Sequence, residues 1–315
     1  MRTPLIIGID TSNYTTSVSV ITVEGRLLAN IKRLLTVKEG ERGLRQSEAV
    51  FAHTVNLPEL MRKAREVIAD NPVVAVGVSD RPRSCEGSYM PCFLVGASVA
   101  EGIGAAASIP VYRFSHQCGH IMAALYSCGN PDLIDSDFAA FHVSGGTTEL
   151  VRVRPDKIGF VTEQVGGSRD LHAGQVIDRI GVMMGLPFPS GKHMEELALL
   201  NTKKLPKKKI SSVGTEVNLS GLENLAAKLF KESGDASLTS AFVFDYIGRA
   251  IAEMSRAYED AYGKGPFVYA GGVMCNSMIR NMLSAEFDSY FADPSMSSDN
   301  AVGIAALALR AIKEN

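Results

Sequence analysis

The segment FAAFHVSGGTTELVRV, residues 138–153, decides the fold prediction. Six mostly apolar residues predict a buried strand, the five small polar residues after them predict a turn, and the last five predict a returning strand. The same order occurs near the start of the chain, where LIIGID at 5–10 is followed by a polar turn and by TSVSVITV at 16–23. Two such strand–turn–strand units predict a duplicated α/β protein, although polar hairpins also occur in unrelated halves.

The rest of the chain alternates strand-like and helix-like patterns, which indicates mixed α/β structure. Helical spacing predicts helices at 53–69, 93–107, 222–231, 238–262, 276–283 and 300–313. Apolar runs predict strands at 26–34, 73–78, 266–270 and 290–292. Residues 187–220 lack a regular pattern and include KKLPKKK at 203–209, which is typical of a solvated loop. We expect a first lobe of residues 1–125, completed by the C-terminal helix at 300–315, and a second lobe of residues 126–299.

Composition and charge exclude several classes of protein. The chain carries 32 basic and 34 acidic side chains, so its net charge of −2 excludes nucleic-acid binding through overall charge. The longest apolar stretch, 93–107, is shorter than the ~20 residues that span a bilayer, and no signal-peptide cleavage region is visible. The five cysteines form no CxxC pair and are predicted to be reduced thiols. We expect a cytoplasmic protein without a membrane-spanning segment.

The sequence HQCGH at 116–120 is the sharpest candidate for a metal site. On a helix, His116 and His120 would lie on one face about 5–6 Å apart, close enough for both imidazoles to bind one ion. Two imidazoles favour a borderline transition metal over magnesium. A polar surface or capping role is the alternative. A zincin protease needs Glu after the first histidine, and Gln117 occupies that position, which disfavours a metalloprotease.

Two glycine turns are candidates for binding a nucleotide. SGGTT at 144–148 combines close backbone approach with hydroxyl groups, which suits a phosphate or a carboxylate. In YAGGVMCN at 269–276 a strand is followed by Gly271 and Gly272 and then by a helix start, where backbone NH groups can meet a phosphate. Either turn could instead be a tight connection that needs small residues.

Two aspartates are further candidates for the same sites. Asp178 ends a helical segment and could receive ribose hydroxyls, or it could be a surface charge. Asp299 precedes the C-terminal helix and could be its N-cap, or it could be the hard ligand that completes a two-histidine metal site.

Taken in order, these segments resemble the TsaD family, also called Gcp or YgjD, the tRNA threonylcarbamoyladenosine transferases. The resemblance runs over most of the chain, and the ordered set is specific although each motif alone is weak. It implies the two-lobed actin, sugar kinase and Hsp70-like (ASKHA) fold with duplicated lobes. The matching segments are 8–12, 94–99, 116–120, 143–148, 173–179, 185–191, 219–222, 271–276 and 298–301.

The resemblance implies a reaction and a set of ligands. Family members transfer the threonylcarbamoyl group from threonylcarbamoyl-adenylate to the adenosine beside the tRNA anticodon, and AMP leaves. One divalent metal ion is implied at His116, His120 and Asp299, with zinc or iron favoured and magnesium still open. No catalytic residue is assigned. An adenine nucleotide or acyl-adenylate is expected at His142, Val143, Ser144, Gly145, Gly146, Asp178, Gly191, Gly271, Gly272 and Asn276.

The resemblance also implies macromolecular partners. The substrate is tRNA, and the lysines of 203–209 are its candidate phosphate contacts, with a solvated loop as the alternative. Family members work with a dimeric paralogue and a small ATPase in bacteria, or with a kinase-containing complex in archaea and eukaryotes. The helix predicted at 53–69 is a candidate surface for such a partner.

Three departures from the family pattern leave other functions open. Thr147 stands where the family has histidine, Gln175 stands where it has glutamate, and residues 80–91 replace a glycine-rich turn. The chain could therefore be a diverged paralogue that acts as a nucleotide-binding partner subunit or as a carbamoyl transferase with another acceptor. A small-molecule kinase and a metalloprotease are more remote alternatives.

Overall fold

The computed structural model describes residues 2–12, 14–36, 44–296 and 301–314. The chain divides into two compact units. Unit 1 comprises Met1–Ser136, Arg154–Thr162 and Ser295–Asn315, and unit 2 comprises Asp137–Val153 and Glu163–Pro294. The first unit therefore extends beyond residue 125, where the sequence placed the boundary, and it takes in a short segment from the middle of the chain.

Twelve strands and nine α-helices form the described part of the chain. The strands are β1 Leu5–Ser12, β2 Thr15–Thr22, β3 Leu27–Leu34, β4 Val73–Arg81, β5 Val111–Ser115, β6 Phe138–Val143, β7 Thr148–Asp156, β8 Gly159–Ser168, β9 Ser211–Val213, β10 Glu216–Asn218, β11 Phe267–Ala270 and β12 Ser289–Phe291. The helices are α1 Gln46–Ile68, α2 Phe93–Ala107, α3 His116–Ser127, α4 Ala173–Met183, α5 Gly191–Ala198, α6 Ser220–Ser233, α7 Ala236–Tyr262, α8 Ser277–Ser284 and α9 Val302–Glu314.

Each sheet is built around the same five-strand arrangement. The sheet of β1 has the order β3-β2-β1-β4-β5, and the sheet of β6 contains the order β8-β7-β6-β11-β12, extended beyond β8 by β10 and β9. In both, the central strand is antiparallel to the strand that follows it and parallel to the next one on its other side. This shared topology confirms the duplicated α/β arrangement predicted from the two hairpins.

The sheet of unit 1 is covered on both faces. Every residue of β1 and β2 is buried, as expected for strands with helices on each side. On one face, Leu57 and Leu60 of α1 pack with Ile7 and Ile9 of β1. On the other face α9 lies directly on β1 and β4, because Gly8 and Gly77 place no side chain between the sheet and the helix backbone.

The core of unit 2 lies between its sheet and helices α4 to α8. The long helix α7 is buried along most of its length. Phe141 of β6 stacks on Tyr269 of β11, with ring centroids 5.3 Å apart and planes inclined by 15°. Burial in this core raises the pKa of the Tyr269 hydroxyl well above its ordinary value.

Several predicted elements have different bounds in the structure. The helix α2 has the predicted bounds, whereas α1 begins at Gln46 rather than at residue 53. The patterns did not identify β5, β8 or α5, nor the short hairpin of β9 and β10 within 187–220. These elements are short or lie near the end of a sheet, so their apolar residues are too few to set a period.

The lysine-rich segment at 203–209 has no regular secondary structure, as predicted. It is nevertheless attached to α7. The carbonyl oxygen of Lys208 accepts a hydrogen bond from Arg249, at 2.9 Å, and that of Lys209 accepts one from Tyr246, at 3.4 Å. The segment is therefore a solvated loop with a fixed path on one helix.

Two predictions about the whole chain can be compared with the described residues. All five cysteines lie within them, and none of them forms a disulfide. In the same part of the chain, no helix combines the length and apolar character that crossing a bilayer requires.

Candidate functional site

The two histidines of HQCGH face each other in unit 1. Strand β5 ends at Ser115, whose side chain accepts a hydrogen bond from the backbone NH of Cys118 and so caps α3. His116 and His120 occupy the first and fifth positions of this helix, and their Nε2 atoms are 2.9 Å apart. Their rings are nearly perpendicular, at 78°. The pair therefore lies on one helical face, as the spacing predicted.

A buried aspartate holds the other nitrogen of the first histidine. Oδ2 of Asp10 lies 2.6 Å from Nδ1 of His116. Asp10 lies on the central strand β1 and is only 1% exposed, while its Oδ1 has no hydrogen-bond partner within the described ranges. Asp10 was not among the predicted site residues, although an acid at the end of the apolar run LIIGID is a visible signal.

The donor set of this site fits a transition metal ion. Two imidazole nitrogens bound to one tetrahedral zinc ion lie roughly 3.3 Å apart, because each bond is about 2.0–2.1 Å long. His116 and His120 are already close to this separation. Asp299, the third expected ligand, lies outside the described residues, and within them no group of three or more metal-ligating side chains is present. Cys118 is directed elsewhere, with its Sγ near Ser84 and the carbonyl of Phe160.

The first glycine turn lies at the end of β6 in unit 2. The NH of Ser144 donates to the carbonyl of Thr147, at 2.8 Å, and closes the turn. Helix α4 begins directly against it, because Gly174 donates to the Ser144 carbonyl and a Cβ at Gly174 would lie 2.6 Å from the nitrogen of Gly145. Gly145 and Gly146 themselves face open space. Their backbone is therefore accessible to a ligand.

The second glycine turn lies beside the first. Strands β11 and β6 are neighbours, with Ala270 opposite His142, and a Cβ at Gly271 would lie 2.7 Å from the carbonyl carbon of Val143. Gly272 faces open space. Asn276 then caps α8 through its Oδ1, which accepts from the NH of Ile279, while its buried Nδ2 has no partner in the described part of the chain. Two exposed backbone turns and an unsatisfied amide thus lie near one end of this sheet.

A cleft of about 660 Å³ opens next to the first turn. Asp178 borders it, and one carboxylate oxygen accepts from the NH of Ser190, at 2.8 Å, so the second can accept a further hydrogen bond. Gly191 follows at the start of α5. The complete lining is Gly145, Gln175, Asp178, Arg179, Val182, Met183, Phe188 and Glu223.

The apolar side of this cleft was not predicted from the sequence. Val182, Met183 and Phe188 are exposed, and Phe188 is exposed to 74%. Large apolar side chains left in solvent beside a cavity are typical of a ligand-binding surface. Of the other expected residues, Val143 is completely buried, and His142 is half-buried and pairs with Glu149 across the hairpin. Of the ten expected nucleotide-binding residues, Gly145 and Asp178 line the cleft, and the other eight are not among its lining residues.

Comparison with known proteins identifies the family. Residues 27–306 match the model of the TsaD family, described as tRNA N6-adenosine threonylcarbamoyltransferase. A protein of that name from Streptococcus suis (strain 05ZYH33) is 30% identical over 305 residues, which cover 91% of this chain and 85% of the relative. Another from Lactococcus lactis subsp. cremoris (strain MG1363) is 31% identical, covering 98% and 92%. The chain belongs to the TsaD family.

Solved structures place this TsaD family member in the ASKHA fold class. A full-length HypF matches with a TM-score of 0.60 at 11% identity, covering 98% of this chain and 55% of that one. A ROK family glucokinase from Streptomyces griseus matches with a TM-score of 0.53 at 12% identity, covering 96% and 98%. At these identities the likeness concerns the fold alone. Family membership makes the chain an enzyme of the acyltransferase class that acts on tRNA.

Proposed function

We propose that this protein transfers a threonylcarbamoyl group from threonylcarbamoyl-adenylate to the adenosine beside the anticodon of tRNA. The observation that carries the proposal is the open first glycine turn, whose Gly145 lines a cleft of about 660 Å³. The second turn adjoins the first through the close packing of Gly271 on the backbone of Val143. A cleft of this size suits a nucleotide. In the reaction, the exocyclic amine attacks the carbamoyl carbon and a C–N bond forms. The C–O bond to the phosphate breaks, AMP leaves, and the amine nitrogen loses one proton to solvent.

The residues of unit 2 would hold the adenylate. The backbone of Gly145, Gly146 and Gly272 can approach the phosphate because no side chain lies in the way. The unsatisfied Nδ2 of Asn276 can donate to a ligand oxygen, and the second oxygen of Asp178 can accept from a ribose hydroxyl. The exposed apolar side chains of Val182, Met183 and Phe188 offer a surface for the purine ring.

His116 and His120, together with Asp299, would hold a divalent metal ion, for which two imidazoles favour zinc or iron over magnesium. When bound, the ion supplies positive charge that can stabilise developing negative charge. The two histidines contribute by holding their Nε2 atoms in one place on the first turns of α3.

The exposed lysines of the 203–209 segment would contact tRNA phosphates. Lys203 already pairs with Asp235, at 2.7 Å, whereas Lys204, Lys207 and Lys208 are exposed on a segment fixed to α7. Replacing Lys204, Lys207, Lys208 and Lys209 by glutamine should weaken tRNA binding and reduce its salt dependence by about one unit of slope per contacting lysine. Lys203→Gln is the matched control and should change binding least, because its charge is already paired.

A dimeric paralogue and a small ATPase would be the protein partners in bacteria. The candidate surface is α1, where Phe51 and Val55 occupy adjacent turns of one face and are exposed to 72% and 58%. Exposed apolar side chains in a row favour a protein contact. Native mass spectrometry of the protein purified from its source should show a fixed partner that Phe51→Ser removes. We place this assembly in the cytoplasm, where tRNA is modified.

The transfer itself is tested by product analysis. The protein is incubated with its partners, threonylcarbamoyl-adenylate and unmodified tRNA, and the nucleosides are separated by mass spectrometry. We expect threonylcarbamoyladenosine from the wild type and from His193→Ala, which removes a half-buried histidine of α5, and none from His120→Ala. Absence of product with every partner set would contradict the proposed reaction.

A second function is favoured by one feature of the cleft. Gln175 lines it where the family pattern has an acid, so the site has lost one negative charge. If AMP binds but no modified nucleoside forms, the chain is a diverged paralogue, either a nucleotide-binding partner subunit or a carbamoyl transferase with another acceptor. If the loss of this acid is what prevents the tRNA reaction, Gln175→Glu should restore the formation of the modified nucleoside.

A further inference from the structure

We propose that Asp10 is a positioning residue of the histidine pair: its carboxylate fixes the tautomer and the ring orientation of His116, so that Nε2 is presented to a metal ion. The inference rests on the proposed metal site and adds a residue to it. Asp10 is not a metal ligand in this assignment, because the atom it contacts is Nδ1 of His116.

The first argument is the direction of the hydrogen bond. An ionised carboxylate accepts hydrogen bonds and cannot donate them, so with Asp10 ionised and His116 neutral the 2.6 Å contact places the proton of His116 on Nδ1. Nε2 of the same ring then carries the lone pair. This Nε2 is the atom that faces His120, at 2.9 Å. Histidines that bind metals commonly donate their second nitrogen to a carboxylate in this way.

The second argument is burial. Asp10 is 1% exposed and follows the buried apolar run of residues 5–9 on β1, and a buried charge without a partner is costly. Among the residues that the structure describes, the hydrogen-bond partner of its carboxylate is His116 alone, and Oδ1 has none. The buried carboxylate is therefore directed at the histidine pair rather than at solvent.

The third argument is rigidity. Asp10 belongs to the central strand of its sheet, which pairs with β2 on one side and with β4 on the other. His116 is the first residue of α3, a helix fixed by the Ser115 cap and by close packing against α9. The contact therefore joins two fixed elements, and such support holds a site more accurately than a loop does.

The test combines a spectroscopic measurement with metal binding. In metal-free protein with 15N-labelled histidine, two-dimensional NMR of the imidazoles reports which nitrogen of His116 is protonated. Cobalt(II) alone is then titrated into the wild type, Asp10→Asn, Asp10→Ala and Asp80→Asn, and its visible absorption gives the dissociation constants. Asp80 is the matched control, because it is a carboxylate on neighbouring β4 that pairs with Arg81 and Arg113.

We expect His116 of the wild type to be protonated at Nδ1, and this tautomer to be lost or mixed in Asp10→Asn. Cobalt binding should weaken about 10-fold in Asp10→Asn and up to about 100-fold in Asp10→Ala, and should be unchanged in Asp80→Asn. Circular dichroism confirms that each variant is folded.

Three results would overturn the inference. One is protonation of His116 at Nε2 in the wild type, a result that does not depend on any variant. Another is equal cobalt affinity in Asp10→Asn and the wild type, and the third is a wild type that does not bind cobalt. The product assay with tRNA is a separate measurement. If the wild type forms the modified nucleoside but Asp10→Asn binds cobalt as the wild type does, this inference is refuted and the proposed function is not.

Discussion

The central strands of the two units, β1 and β6, have the same topology and end in opposite chemistry. At the end of β1, the carboxylate of Asp10 is buried against His116, and the neighbouring side chains of Ser12 and Ser79 are buried hydroxyls. At the end of β6, Gly145 and Gly146 leave the backbone open and carry no charge. The first arrangement suits a cation held by side chains, and the second suits an anion held by NH groups.

This difference teaches that the strand order and the ligand chemistry are determined separately. The shared order β3-β2-β1-β4-β5 and β8-β7-β6-β11-β12 determines where the carboxyl ends of the parallel strands lie. The few residues that follow each strand decide what can bind there. Some substitutions should therefore destabilise the fold of a unit, and others should change only what binds at the end of its strands.

The largest expected effect is on the scaffold of unit 1. A Cβ at Gly303 of α9 would collide with the carbonyl of Gly119 and lie 2.6 Å from the nitrogen of Ala123, both in the backbone of α3. Gly303→Ala should therefore lower the free energy of unfolding by about 3 kcal/mol, because backbone atoms cannot move aside as a flexible side chain can. Urea denaturation measures this change.

The control for this prediction is Gly102→Ala. Gly102 lies in α2 with open space around it, so alanine should be neutral or stabilise the protein by up to about 1 kcal/mol. Equal stabilities of the two variants would contradict the close packing of α3 and α9.

A smaller effect is expected on the scaffold of unit 2. Gly174→Ala would place a Cβ 2.6 Å from the nitrogen of Gly145 and 2.7 Å from the carbonyl carbon of Ser144. The turn must then move away from α4, which we expect to cost about 2 kcal/mol of stability and to abolish AMP binding together. Thermal denaturation and calorimetry measure the two effects. A variant that binds AMP normally would show that the position of the turn is unimportant.

A substitution in the open part of the same turn should affect binding alone. Gly145→Val points its side chain into free space beside the cleft, so the melting temperature should not change. AMP binding should weaken at least 10-fold, about 1.4 kcal/mol, because the side chain occupies the approach to the backbone. Gly265→Val, in the loop before β11, is the matched control and should bind AMP as the wild type does. Normal affinity in Gly145→Val would remove the first turn from the nucleotide site.

The smallest expected effect is a pH dependence that belongs to unit 1. His53 of α1 is completely buried, its Nδ1 lies 2.8 Å from Oγ1 of Thr16, and its Nε2 lacks a partner among the residues described. Burial lowers the pKa of His53 below its ordinary value, although the backbone of Ser12 and the charge of Asp10 oppose this. Below about pH 6.5 the unfolded chain therefore binds a proton that the folded protein excludes, and stability falls as the pH falls.

Urea denaturation between pH 8 and pH 5 measures this dependence. His53→Gln should flatten the fall in stability below pH 6.5, whereas His193→Gln, which changes a less buried histidine of unit 2, should leave it unchanged. An identical fall in His53→Gln and the wild type would assign the effect to other groups.

Sequence patterns determined the local elements and the residue pairs that are close along the chain. Strand β1, helix α2 and the two hairpins follow from apolar runs and turn residues, because side-chain period is a short-range property. Helical spacing also predicts that His116 and His120 lie on one face of a helix, for the same reason. The glycine turns also appear in the sequence, although it does not distinguish Gly145, which faces open space, from Gly174, which supports the turn.

Contacts between distant residues were decided only by the tertiary structure. Asp10 and His116 are separated by 106 positions, and no local pattern links a strand residue to the first residue of a later helix. The second turn approaches the first because β11 pairs with β6, and Phe188 lines the cleft because the chain returns to α4. The physical reason is that side-chain period indicates which face of an element is buried, whereas the partner of that face is selected by packing of the whole chain.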